Sequence, residues 1–436
     1  MKETEQTKIS DSFFKYVAPS MFTMLLVGFY AIVDGFFVGR SVGDDGLAAI
    51  QIAWPITLLV MSLGTGIGTG GSIIMSIKKG EGNKEFAEKV KGNTIILLGI
   101  IGTIIMIIYL LIINPLLKLL GADGLIFDYA KEYSLVITYG AVLQIMGAGL
   151  TPIIKNIGKP IFAMIVMFIG MFTNIILDWF FMFVCGWGLF GAALATTMAQ
   201  GIVALLAIMC IVKSGLCKHW YTISRSVVTD IVRIGLSPFG LTFTPGLVMI
   251  FTNWQCLAYG GSNVVAAYTV MSYVIYVIQS LSQGLSDGIQ PIISYCQGAK
   301  DNKGIKKTIN KAILCGIVLC IVYVSFALIF KDAIPIWYGT SSEVAKDASI
   351  AIALSMIAVP FIIFSRIMTG YLYAIDDAKS SSLLVYIDPL LLSPILLFIL
   401  PKLWGVYGIW FTYILVQIIL SILAFVLVKK DKVKVN

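Results

Sequence analysis

The chain has 436 residues, of which 58% are hydrophobic and 12% charged, with a net charge of +8. Soluble domains carry roughly 45–50% apolar and about 25% charged residues, so one soluble core is excluded and a bilayer is the expected solvent. The basic residues sit in short segments between apolar runs, which assigns the positive charge to membrane topology and not to nucleic acid.

Residues Met1 to Ser12 are polar and lead into a long apolar run with no small-residue cleavage site. They read as the start of a retained first helix, not a signal peptide. A membrane-crossing helix needs about 20 mostly apolar residues. Twelve such spans follow in order, near 13–39, 46–77, 93–117, 129–153, 160–185, 189–212, 231–258, 264–296, 309–330, 348–373, 380–400 and 405–428. The expected fold is therefore an all-α integral membrane protein. An even number of spans puts both termini on one side. With that side cytoplasmic, 24 of the 31 basic residues fall on inner segments, six on outer ones, and Arg366 alone within a span. The bias fixes the orientation and supports the span count, because one missed helix would invert every later loop.

The sequence repeats itself. Under a shift of 218, residues 43–80 match 261–298 at ten positions, among them Gly43, Ala48, Ala49, Ser62, Leu63, Gly66, Gly70 and Gly80. A shift of 217 matches Trp187, Gly188, Gly191 and Gln200 with Trp404, Gly405, Gly408 and Gln417. The chain thus reads as two pseudo-symmetric six-helix lobes, 1–220 and 221–436, joined near 213–230. Six is even, so the copies share one topology and an axis along the membrane normal. Secondary transporters are often built this way, with substrate between the halves.

Ionisable residues within a span are costly and are functional candidates by default. Five stand out: Asp34, Asp178, Asp287, Arg366 and Asp388. Asp178 lies nine residues before Trp187 and Thr196 nine after it, so the helical rise places both at one depth. Asn174 precedes Asp178 by four residues, and Gln200 follows Thr196 by four, on the same helix faces. With Asp34, six residues before the outer Arg40, they form an outer cluster of two carboxylates, amides and a hydroxyl. Such oxygens suit a hard cation such as Na⁺; alternatively the two acids share a proton. The plainer reading is that both acids satisfy donors in helix packing. Arg366 and Asp388 lie eleven residues to either side of Asp377, which predicts an ion pair, either a structural clamp or a contact released during switching. Asp287, eleven residues before Gly298, is placed in the inner half near Gln290 and Pro291, as an inner gate or a packing contact.

Other signals are weaker. Gly66-x-Gly68-x-x-Gly71 fits a dinucleotide pattern, but the required strand is missing, so close helix packing is expected instead. Met21, Met24, Met61, Met146, Met249, Met271, Tyr139, Tyr268, Tyr273 and Trp254 are candidates to line a cavity for lipophilic cations, with ordinary packing as the alternative for most of them. The seven cysteines show no C-x-x-C spacing, and His219 is the single histidine, so a zinc site or a covalent cofactor is not expected.

Val33-Asp34-Gly35-Phe36-Phe37-Val38-Gly39 resembles the first-helix motif of the multidrug and toxic compound extrusion (MATE) family. Gly80, Gly298-Ala299-Lys300, Asn174-x-x-x-Asp178 and Trp187-Gly188-x-x-Gly191-Ala192-Ala193 resemble its later motifs, in the same order, over about residues 12–428. The resemblance implies two six-helix lobes opening alternately and export of drug-like organic cations against inward Na⁺ or H⁺. It implies a coupling-ion site at Asp34, Asn174, Asp178 and Thr196, with Gln200 as a neighbour. One branch of the family also uses acids on the seventh and tenth helices. Here those helices offer Asn253, Gln255 and Arg366, which argues against a second ion site of that kind. Asp376-Asp377 stands where a glycine is usual. Tyr139, Asn253, Gln255, Met271, Asp287, Arg366 and Asp388 remain candidates for the substrate cavity. The expected partners are amphipathic small molecules and the lipid bilayer, with the chain working as a monomer in the plasma membrane. The rival reading is a flippase for a lipid-linked or other amphipathic metabolite. That activity calls for a basic cavity, and only Arg366 is basic deep in the membrane. A membrane enzyme is disfavoured, because no nucleophile stands with a base.

Overall fold

The structure, a computed structural model, describes residues 12–215 and 220–435, without the side chains of 29–32, 44 and 431–435. The leader reading of Met1 to Asp11, and Cys217, Lys218 and His219, lie outside the described residues. Among the described residues the structure is helical and has no strand.

Helices Phe13–Ser41, Asp44–Gly80, Lys84–Leu119, Gly188–Lys213, Asn302–Phe330 and Val406–Val435 each cross once. The fourth span is broken into Gly124–Tyr139 and Ala141–Asn156, bent by 59°. The bend falls at Gly140, where a Cβ would come within 2.2 Å of Thr197. The fifth span, Pro160–Asp178, ends in a π turn, Trp179–Val184. The tenth, Ser342–Ala374, narrows to a 3₁₀ turn at Met356–Ala358 just before Pro360. The eleventh, Ala378–Trp404, widens to a π turn at Asp388–Leu392, where Pro389 lacks the amide to continue the ladder. Arg225–Gly298 is a 74-residue stretch, far longer than a bilayer, and Gly261 at φ 62° breaks it into the seventh and eighth spans. The expected spans are thus all present, although six of them are interrupted or joined in ways hydropathy does not reveal.

The repeat is visible in the backbone. Gly43 and Gly261, identical under the shift of 218, both take positive φ, 84° and 62°. So do Gly82 and Lys300, Gly121 and Gly339, and Gly158 and Asp376, while Gly188 and Gly405 match under 217. Helix caps repeat as well. Asn83 and Asp301 each accept from a backbone N–H three residues on, at 3.1 and 2.9 Å, and Asp123 and Ser341 cap the next helices at mated positions.

By contacts the chain forms two compact units. The first contains residues up to Met24, Thr244–Ile293 and Asp301–Asn436; the second contains Leu25–Phe243 and Ser294–Lys300. In the second unit, Gly66 and Gly70 press against Gly235, with Phe239 and Ile231 alongside; an added Cβ would come within 2.3–2.9 Å. In the first unit, Gly284 and Gly288, their mates, press against Met21 and Val17 at 2.5 Å. Each glycine-bearing helix therefore receives the first turns of the helix that opens the other repeat. Gly64 and Gly68 meet Ile145 and Gly149 of the fourth span in the same manner, which accounts for the run of small residues by packing.

One inner-loop charge departs from expectation. Lys91, counted with the topogenic lysines, is 1% exposed. It pairs with Glu88 and donates to Ser214 Oγ at 3.2 Å and to the Gly215 carbonyl. Asn93 holds the same connector, donating to the Thr222 carbonyl and accepting from the Ser224 amide. The link between the repeats is thus fastened to the third span.

Candidate cation-binding site

The second unit contains Asp34, Asn174, Asp178, Thr196 and Gln200. Asn174 and Asp178 share one face of the fifth span, and both are fully buried. Asn174 Nδ2 donates to Thr196 Oγ1 at 3.4 Å, so the fifth and sixth spans meet at this level as the depth argument requires. The sixth span is positioned by its hairpin. The Trp187 ring stacks on Phe181 at 5.1 Å and 12°, and Gly191 has room only for a hydrogen where Phe181 passes. Asp178 sits where the α-helix gives way to the π turn, so the extra residue per turn begins immediately beyond its carboxylate.

The acids are poorly served by the protein. Both Asp178 carboxylate oxygens, Asn174 Oδ1 and Asp34 Oδ1 are buried without a hydrogen-bond partner. Asp34 is half-buried, and its charge reaches Asp178. Tyr133, a buried residue of the fourth span with Thr57 beside its hydroxyl, lies within the field of both acids. Orphaned buried acceptors each cost on the order of 1–3 kcal/mol, more when charged. Acceptors without donors are what a bound cation or proton relieves. Among the described residues no three His, Cys, Asp or Glu side chains gather, so the set is one of hard oxygens and not a transition-metal cage.

Tyr133 and Thr57 were missed from sequence. The depth rule that matched Asp178 with Thr196 reaches Tyr133 too, nine residues into the span from Gly124. Gln200 is buried against Gly147 of the fourth span, one turn from Thr196. Tyr139 is 65% exposed at the bend of that span, whereas Tyr133 is the tyrosine that meets the acids.

The remaining candidates belong to the first unit. Met271 is packed in the core at 2% exposure, in the ordinary role given as the alternative for the methionines. Asn253 and Gln255 are half-buried, and Asn253 Oδ1 is unpartnered. The expected Arg366–Asp388 ion pair is not among those formed by the described residues. Arg366 Nη1 donates instead to Gln283 Oε1 at 3.4 Å, and Asp388 accepts from Ser393 Oγ. Equal depth does not decide which way two side chains turn, and here Gln283 takes the guanidinium while Ser393 takes the carboxylate. Asp287 accepts from Gln283 Nε2 at 2.8 Å.

The chain resembles known proteins over nearly its full length. It is 24% identical over 429 residues to the multidrug export protein MepA of Staphylococcus haemolyticus (strain JCSC1435), covering 97% of this chain and 94% of that one. It is 22% identical to the MepA of Staphylococcus saprophyticus, with the same coverage. Among solved structures, an outward-facing multidrug resistance MATE family transporter of the MOP superfamily superposes with a TM-score of 0.91, at 23% identity, over 97% of this chain and 96% of that chain. A MATE protein in a bent conformation gives 0.90, at 22% identity, over 97% and 95%. The MatE family model matches residues 19–180 and 242–399, so each repeat carries one copy. With both copies present, the chain belongs to the MatE family and is a membrane transporter, not an enzyme.

Proposed function

We propose that this transporter exports lipophilic, often cationic drugs in exchange for inward Na⁺ or H⁺, with Asp34 and Asp178 as the coupling pair. The observation that carries this reading is the group of buried, unpartnered oxygens on Asp178, Asn174 and Asp34. The similar MepA proteins are multidrug export proteins and the similar outward-facing structure is of a multidrug resistance transporter, which supports the substrate class. Residues 1–220 and 221–436 are taken as the working lobes, with both termini cytoplasmic, in a plasma-membrane protein acting as a monomer.

In this scheme a cation arriving from outside binds at Asp34 and Asp178, held also by Asn174 and Thr196. A ligand shifts a conformational equilibrium only by its differential affinity for the two states. The cation therefore favours the conformer in which its oxygens close around it, and drug binds the other. Drug and ion compete through the first span even without touching.

Asp34→Asn keeps the shape and removes the charge. Purified protein in liposomes should accumulate a lipophilic cationic dye under an imposed Na⁺ or pH gradient, and the folded D34N variant should not. Full activity in D34N rejects the scheme. If neither gradient drives any lipophilic cation in the unaltered protein, the flippase reading replaces it.

A further inference from the structure

The first unit holds a second polar chamber that the coupling scheme does not use. Four spans supply it: Gln279, Gln283, Ser286 and Asp287 from the eighth, Arg366 and Tyr373 from the tenth, Asp388 from the eleventh and Tyr413 from the twelfth. Its groups are wired together. Gln283 accepts from Arg366 through Oε1 and donates through Nε2 to Asp287, so one amide bridges the guanidinium to the carboxylate. Ser286 Oγ and Tyr373 OH lie 3.2 Å apart, and Gln279 donates to Tyr413 OH at 3.1 Å. Tyr413, Asp388, Tyr373 and Asp287 are the groups whose field reaches Arg366. In contrast with the other unit, no oxygen of Asp287 or Asp388 is orphaned among the described residues. The chamber is also accessible, since Arg366, Gln283, Asp287 and Asp388 are only half-buried.

The guanidinium, tied to Asp287 through Gln283, supplies a fixed positive charge where acids and phenols would otherwise draw a cation. We propose that Arg366 is a tethered cation, holding in the first unit the place that a mobile ion takes in the second, so that the transport cycle carries a coupling ion in only one lobe. The physical argument is exclusion. A free Na⁺ or proton entering this chamber meets a fixed positive charge whose bridge to Asp287 it must break, in surroundings that screen little. A neutral side chain at 366 removes that barrier and takes the fixed positive charge away from both carboxylates, which favours a cation in its place. The statement about ion number rests on the proposed coupling at Asp178; the statement about the chamber does not.

The test is made in the D178N background, which removes the second unit's acid. Cation binding to the purified full-length protein is measured with Na⁺ alone by calorimetry, and proton uptake by titration from mildly alkaline to mildly acidic pH. D178N/R366Q should bind one more monovalent cation, Na⁺ or H⁺, than D178N. D178N/R366K, which keeps the tether, should match D178N, and adding D287N to D178N/R366Q should abolish the gain. Equal counts in D178N and D178N/R366Q overturn the proposal. Should R366Q fold poorly, its melting temperature must rise with added Na⁺ or acid by more than that of D178N, because a free cation then replaces the guanidinium; an unchanged difference overturns the proposal too. Failure of the coupling scheme reads out separately, as equal cation counts in the unaltered protein and D178N.

Discussion

The two repeats solve the problem of acids in a membrane in opposite ways. In the second unit Asp178 lies within the field of Asp34, and both Asp178 oxygens and one of Asp34 are buried without a hydrogen-bond partner. In the first unit Asp287 and Asp388 are bonded to Gln283 and Ser393, with Arg366 tied in through the same glutamine. A duplicated fold thus contains one cluster that needs a visitor and one that is self-sufficient. Symmetry of backbone does not impose symmetry of chemistry: turns and caps recur at 217–218 residues, but the ionisable side chains do not.

This difference is most easily broken at its extremes. Asp178→Asn should lower gradient-driven dye transport by about 100-fold, the scale on which a bound ion biases two states. Asp388→Asn, which keeps an oxygen for the Ser393 hydroxyl, should cost less than about threefold. Comparable losses in both variants, measured in liposomes at equal protein load, would erase the contrast. A subtler probe is Tyr133→Phe. Loss of one hydroxyl beside the acids, on the order of 1 kcal/mol, should weaken ion affinity by roughly fivefold without changing maximal transport. An unchanged ion dependence would remove Tyr133 from the site.

The smallest effect concerns the backbone. Lys300 at φ 56° occupies the turn that Gly82 makes in the other repeat. Lys300→Gly should raise stability by about 1 kcal/mol, read as a higher melting temperature in detergent. Gly82→Lys should lower it by a similar amount. Identical responses of the wrong sign would mean that the repeats do not share this turn.

How much was legible follows from which forces the sequence expresses. Hydropathy and the basic-residue bias are written along the chain, so the spans and the duplication were readable. Asp178 with Asn174, and Thr196 beside them, followed from helical rise and a hairpin whose tip is marked by Trp187 and Gly188. The Arg366–Asp388 pair failed because a shared depth does not set side-chain direction: Gln283 and Ser393 are the partners the two groups find. The contacts of Lys91 were not readable because a lysine beside a span looks the same whether it faces lipid headgroups or holds the Gly215 carbonyl. Tyr133 carries no charge, and a tyrosine among nineteen attracts no notice until its neighbours are known.

The central claim is that a small cation answers the unmet acceptors of the second unit. It is tested most directly by running the transporter backwards from its substrate. Liposomes containing purified protein are loaded with a lipophilic cationic dye, without any ion gradient, and Na⁺ and proton movements are followed as the dye leaves. The account predicts that one of these ions moves opposite to the dye in the unaltered protein, and that in Asp178→Asn the ion movement disappears. Equal counter-movement of the ion with and without the Asp178 carboxylate would contradict it.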